Sequence, residues 1–92
     1  MVDVHGRWAE FRFFRPGAKQ VRLAGEFNDW DHRQLLMAPT GDGWWEARMK
    51  LPAGSFRFKY WADGQWFSDY AAFGLEPGPH GYESVVRISE TG

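Results

Sequence analysis

No cysteine occurs among the 92 residues of the chain, which excludes a disulfide framework and thiolate zinc chemistry and leaves stability to packing. Neither charge is in excess. Eleven basic residues against twelve acidic ones give a net charge of −1, so the electrostatic footprint of a nucleic-acid binder is missing. No run approaches the roughly 18 apolar residues of a membrane span, and the N-terminal MVDVHGRW has no basic cluster followed by an apolar stretch. A cytoplasmic protein, or an excised piece of a larger one, is therefore expected, without nucleic-acid or membrane partners. Long helical periods, internal repeats and linkers are lacking too, which predicts a single domain over residues 1–92. His5, His32 and His80 stand singly, in no metal-ligand spacing, and are expected at the surface. Without a phosphate loop or a nucleophile motif, no metal and no other cofactor is implied.

Aromatic residues, by contrast, are abundant. They form 18% of the chain and six of them are Trp, more indole than so small a core hides with every N–H bonded. Some must lie at the surface, where large apolar groups usually have a purpose.

The aromatics fall in stretches with strand periodicity. Residues 56–66, FRFKYWADGQW, alternate and contain Asp63-Gly64, a strong two-residue hairpin signal. Alternation puts Phe58, Tyr60 and Ala62 on a core face and Arg57, Lys59 and Trp61 on the other, joined by Trp66 past the turn. Upstream, residues 8–14 read as a strand stopped by Arg15-Pro16-Gly17, and residues 19–25 as a second strand completing a first hairpin with it. Residues 26–31, EFNDWD, read as an ordered loop with Asx-turns, in which Phe27 plugs the end of the sandwich and Trp30 is displayed. A minor strand is expected over 34–38. Residues 44–51 form another strand, with Trp45, Ala47, Met49 and Leu51 inward, and the Pro52-Ala53-Gly54 turn joins it to the next as a second hairpin. The segment AAFGLEPGPHG has no period, and residues 83–89 close the chain as a strand. About seven short strands with turns between them predict an all-β, immunoglobulin-like antiparallel sandwich.

Several of these stretches together resemble a known family. VRLAGEFNDW, the strand from Trp44, the LPAG turn, RFKYWADGQW, Asp69 and the terminal SVVRI are similar, in order and spacing, to the glycogen-binding modules of carbohydrate-binding family 48. These occur in the beta subunit of AMP-activated protein kinase and at the N-terminus of isoamylases and branching enzymes, and the likeness covers residues 8 to 89. It implies an early-set immunoglobulin-like sandwich that binds α-1,4-glucan or maltooligosaccharide without catalysis, alone or beside a catalytic domain or a kinase-type partner. It also implies that Trp30, Lys59 and Trp66 form the sugar platform. The loop before the last strand departs from the pattern: Pro79, Gly81 and Glu83 stand where kinase-type modules have Leu, Thr and Asn.

Chemistry agrees with such a ligand. An α-1,4-linked glucose ring presents axial C–H groups on one face and hydroxyls at its edge. Two indoles, Trp30 and Trp66, offer rigid surfaces to the former, and Lys59 offers three N–H donors to the latter, with Asn28 and Glu83 expected at the rim. A shallow preformed site of this kind corresponds to micromolar-to-millimolar affinity, roughly −4 to −8 kcal/mol. Trp61 is expected to pack against the loop after Asp69, Trp44 to serve as a cross-strand partner, and Trp8 and Trp45 to be structural.

Three other functions fit parts of the sequence less well. Asp29 with Asp31, or Asp63 with Asp69, would be the carboxylate pair of a glycosidase, but each lies in a polar turn with no cause for a raised pKa. FRFKY interleaves basic and aromatic residues as RNA-binding strands do, without that signature's glycines. A protein-docking module of the same fold that has lost sugar binding is the closest rival.

Overall fold

The computed structural model describes residues 1–90, which form two antiparallel sheets packed face to face. Strands β1 (Val2–His5), β2 (Trp8–Phe14), β6 (Trp44–Lys50) and β5 (Ala38–Pro39) make one sheet in the order β1-β2-β6-β5. The other has the order β4-β3-β7-β10-β9, with β8 hydrogen-bonded to β7. Its strands are β3 (Val21–Gly25), β4 (Leu35–Leu36), β7 (Gly54–Ala62), β8 (Gln65–Phe67), β9 (Leu75–Gly78) and β10 (Gly81–Ile88). The all-β immunoglobulin-like sandwich expected from the sequence is the fold. Among the described residues no helix is long and apolar enough to cross a membrane.

Alternation sets the core. From β2, Ala9 and Phe11 face inward; from β3, Val21 and Leu23; from β7, Phe58, Tyr60 and Ala62; from β10, Val86 and Ile88, all of them buried. Phe58 sits at the centre, edge-on to Phe11 at 4.9 Å and to Tyr60 at 5.7 Å. Aromatic pairs in this geometry add about 0.5–1.5 kcal/mol each beyond the area they bury. The Tyr60 hydroxyl donates to the buried Asp69 carboxylate at 2.7 Å, so the one polar tip in this layer is satisfied. Burial and the neighbouring carboxylate both push the Tyr60 phenol well above its usual range. Phe27 closes the end of the sandwich as expected, 5.9 Å from Phe11 and 6.3 Å from Phe56.

Strand pairing corrects the sequence reading in three places. Residues 8–14 and 21–25 do not form a hairpin, since β2 pairs with β1 and β6, whereas β3 pairs with β4 and β7. Likewise the Pro52-Ala53-Gly54 turn carries the chain from β6 in one sheet to β7 in the other. Both pairs of consecutive strands are apolar on one face. Facing each other across the core buries that face on both members, which side-by-side pairing in one sheet would leave to a third partner. The expected minor strand is also divided. Leu35 and Leu36 pair with β3, Ala38 and Pro39 pair with β6, and Met37 between them enters the core.

Two strands come from segments for which no strand is expected from the sequence. Val2–His5 pairs with β2 through a Gly6-Arg7 turn, Gly6 having a φ of 63°, the residue order of a type II′ hairpin. Leu75–Gly78 pairs with β10 around Pro79-His80, with Gly81 at a φ of 86°.

The Asp63-Gly64 hairpin is present, Ala62 pairing with Gln65 and both turn residues having positive φ, 47° and 88°. Its Asp63 carboxylate accepts the backbone N–H groups of Lys19 at 3.0 Å and Gln20 at 2.9 Å, and these bonds hold the carboxyl below the usual range. A carboxylate with a depressed folded pKa contributes stability above the unfolded value, near 3.9, and loses it as pH falls through the folded value. Asp63→Asn keeps the turn preference but not the charge. Its melting temperature should lie below that of the native chain at neutral pH, and the two should converge under acid; a constant gap from pH 6 to pH 2 would show that the charge is immaterial.

Candidate functional site

Three tryptophans outside the core, Trp30, Trp61 and Trp66, cluster against the six-stranded sheet, and each is delivered there by a local feature of the sequence. Trp61 and Trp66 are register partners across the Asp63-Gly64 turn. They therefore share a face, with ring centroids 5.0 Å apart and planes at 68°. Trp30 arrives from the loop after β3. Its position depends on Asn28, whose Oδ1 accepts the Gly25 N–H and whose Nδ2 donates to the Asp31 carbonyl, both at 3.0 Å. Between these anchors the chain turns back through Asp29 and Trp30, at φ 56° and 58°. Left-handed backbone at non-glycine residues costs about 1–2 kcal/mol each, and the loop hydrogen bonds hold it in place. Trp30 comes to rest 6.3 Å from Trp66, nearly perpendicular at 73°.

Gly25, the entry to this loop, admits no side chain. A Cβ there would lie 2.5 Å from the Arg57 carbonyl oxygen and 2.9 Å from the Phe27 ring. Since the oxygen belongs to the backbone of β7, it cannot swing aside. Gly25→Ala should destabilise the fold by about 1–3 kcal/mol, measured by urea unfolding. An unchanged midpoint would mean that β3 and β7 separate more easily than their packing indicates.

Both indoles are half-exposed and on the same side of the molecule. Lys59 lies on the same face of β7, but differently from the solvent-facing amine expected. It is only 7% exposed, and its Nζ donates to the His80 carbonyl at 2.6 Å. Burial lowers its pKa, and the Glu83 carboxylate partly offsets that. Glu83 is not at the rim. It is 1% exposed, its Oε2 lying 2.8 Å from His80 Nδ1 and 3.2 Å from the His80 backbone N–H, with the Arg57 guanidinium 3.8 Å from its other oxygen. It fits there because residue 78 is glycine; a Cβ at Gly78 would overlap the carboxylate. Asn28, also expected at the rim, is half-buried and spends its amide on the loop hydrogen bonds just described.

Two residues read as scattered surface histidines belong to the cluster. The His80 ring stacks on Trp30 at 4.2 Å with 28° between planes and lies 5.4 Å from Trp66. His32 lies 4.3 Å from Trp61 and 5.9 Å from Trp66. Trp61 thus packs on His32 and Trp66, not against the loop after Asp69 as expected. A usable signal for His80 was present: Gly78-Pro79-His80-Gly81 has proline at the second and glycine at the fourth position, the residue choice of a type I turn.

Trp44 and Trp45 fit their expected roles, whereas Trp8, expected to be structural, stands at the surface. Trp44 pairs across strands with Phe14 at 5.1 Å. Trp45 is buried, its indole N–H donating to the Arg15 carbonyl at 3.1 Å. Trp8 is exposed beneath the Arg48 guanidinium, 5.8 Å above its ring. The carboxylates weighed as a glycosidase pair are apart in kind: Asp69 is buried on Tyr60, and Asp63 is an exposed turn residue. Asp31 is held below the usual range by hydrogen bonds from Arg33, the opposite of what a general acid needs.

This geometry is that of a shallow shelf of angled rings with polar groups beneath it. Residues 7–73 match the family model described as the glycogen recognition site of AMP-activated protein kinase. The chain is 40% identical over 83 residues to the 1,4-alpha-glucan branching enzyme GlgB of Lactobacillus acidophilus, a match covering 85% of the chain and 13% of that enzyme. It is 35% identical over 63 residues to the human 5'-AMP-activated protein kinase subunit beta-2, covering 68% of the chain and 20% of the subunit. A branching enzyme of Salinibacter ruber is 32% identical over 76 residues, covering 78% and 12%. The chain therefore spans a fifth or less of the length of these relatives.

Proposed function

The chain belongs to the family of the glycogen recognition site of AMP-activated protein kinase, a family of non-catalytic carbohydrate-binding modules, and from that premise we propose that it binds α-1,4-glucan on the shelf of Trp30 and Trp66. The single observation that carries the placement is the pair of half-exposed indoles, 6.3 Å apart at 73° on one side of the molecule. Rings set at that angle meet successive residues of a curved chain, each indole taking the C–H face of one sugar. Lys59 supplies N–H donors from below, while Asn28 and Glu83 support the site by fixing the Trp30 loop and the His80 turn. In function the module serves a catalytic domain or a kinase-type partner, bringing it to glycogen or starch. Support for that role comes from the relatives, in which the matching segment is a small part of a branching enzyme or a kinase subunit.

An NMR titration with maltoheptaose tests the proposal. Shifts should concentrate at Trp30, Lys59 and Trp66, with affinity in the micromolar-to-millimolar range. A folded chain whose spectrum is indifferent to maltoheptaose, and which is not retained on glycogen, would favour protein docking instead.

A further inference from the structure

His80 takes no part in the glucan contacts assigned above, yet its ring packs beside both indoles that make them. We propose that His80 is a third ring of the binding shelf and contacts the bound glucan directly, its Nε2 accepting a hydrogen bond from a sugar hydroxyl. This rests on the glucan reading of the site. The imidazole is 4.2 Å from Trp30 and 5.4 Å from Trp66, and those two rings are 6.3 Å apart. A glucan whose successive sugars lie on the two indoles therefore passes the imidazole, whose centroid is within 5.4 Å of both.

The hydrogen bonds of His80 decide what that edge presents. Nδ1 faces Glu83 Oε2 at 2.8 Å. An ionised carboxylate only accepts, so in the neutral ring the proton resides on Nδ1 and the lone pair on Nε2. The two nitrogens point away from each other across the ring. With Nδ1 aimed at a carboxylate 1% exposed, Nε2 is directed toward the surface, and the ring as a whole is 27% exposed. Nε2 has no protein partner among the described residues.

Orientation is fixed from three sides. Lys59 on β7 donates to the His80 carbonyl, Glu83 on β10 accepts both its backbone N–H and Nδ1, and the face of Trp30 covers its ring. Arg57 holds Glu83 from the far side and is itself bonded to Glu76 on β9 at 2.9 Å. An acceptor prepared in this way adds what the shelf otherwise lacks, because indole and ammonium groups only donate. The family match ends at residue 73, before this turn, and the residues that the resemblance assigns to the sugar platform do not include His80.

The test is a titration of the intact chain with maltoheptaose, following the histidine ring nitrogens by long-range proton-nitrogen correlation and affinity by calorimetry. The His80 Nε2 resonance should move on saturation. His80→Ala should weaken binding by about five-fold or more, the worth of one hydrogen bond and its contact. An Nε2 resonance that stays still at saturation overturns the proposal. So does a His80→Ala affinity within two-fold of the native chain while Trp66→Ala loses binding. If His80→Ala fails to fold, the Nε2 response of the native chain decides alone. Absence of any maltoheptaose binding by the native chain would instead bring down the glucan reading, and this inference with it.

Discussion

Trp66→Ala is expected to lose retention on glycogen altogether while leaving the fold intact. Truncating a tryptophan at the centre of a binding surface costs about 2 kcal/mol or more, roughly thirty-fold in affinity. From the micromolar-to-millimolar affinity proposed for the site, that loss would carry the module beyond what sedimentation with glycogen detects. The loss should also exceed that of other ring deletions, because Trp66 touches every neighbour in the cluster: Trp30 at 6.3 Å, Trp61 at 5.0 Å, His32 at 5.9 Å and His80 at 5.4 Å. The ring is half-exposed and outside the core, so the melting temperature should fall by only a few degrees. Trp44→Ala on the opposite sheet is the control. Equal loss of retention in both variants would mean that the shelf is not the binding surface.

The largest effect on stability is expected from Phe58→Ala. The ring has no exposed surface and meets Phe11 and Tyr60 edge-on, so its removal opens a cavity at the contact between the sheets. Such deletions cost about 3–5 kcal/mol, against a total of roughly 5–15 kcal/mol for a domain. At this size about 3 kcal/mol lowers the melting temperature by roughly 12–24 °C. Lys59, next in sequence, points to the other face of the same strand. Binding measured at low temperature, where the variant is still folded, should therefore be weakened less than stability. A loss under 1 kcal/mol would show that Phe58 is not the ring on which the layers close.

The face of each strand was legible because a period of two survives in the sequence wherever one side is buried; Phe58, Tyr60 and Ala62 are buried as their alternation requires. Partner choice was not legible. The turns after β2 and β6 are short and rich in Pro and Gly in the manner of hairpin loops, and nothing local distinguishes a loop that returns beside its strand from one that crosses to the other sheet. Trp30 and Trp66 were readable because each follows a turn with its own residue signature, Phe27-Asn28 and Asp63-Gly64. The depth of Lys59 and Glu83 was not, because both are covered by the β9–β10 turn, whose position depends on Lys59 and Trp30, far off in the chain. The place of His80 is illegible for the same reason: its partners Trp30 and Lys59 belong to other strands and loops.

The crossing of the chain between layers has a kinetic consequence. Val21 pairs with Ala62 and Trp8 with Lys50, so neither central ladder can begin to zip until distant segments have met. Chains dominated by such non-local pairing fold in milliseconds to seconds, well behind helical bundles of similar size. During synthesis β2 and β3 therefore wait, unpaired on their inner edges, for strands the ribosome has yet to release.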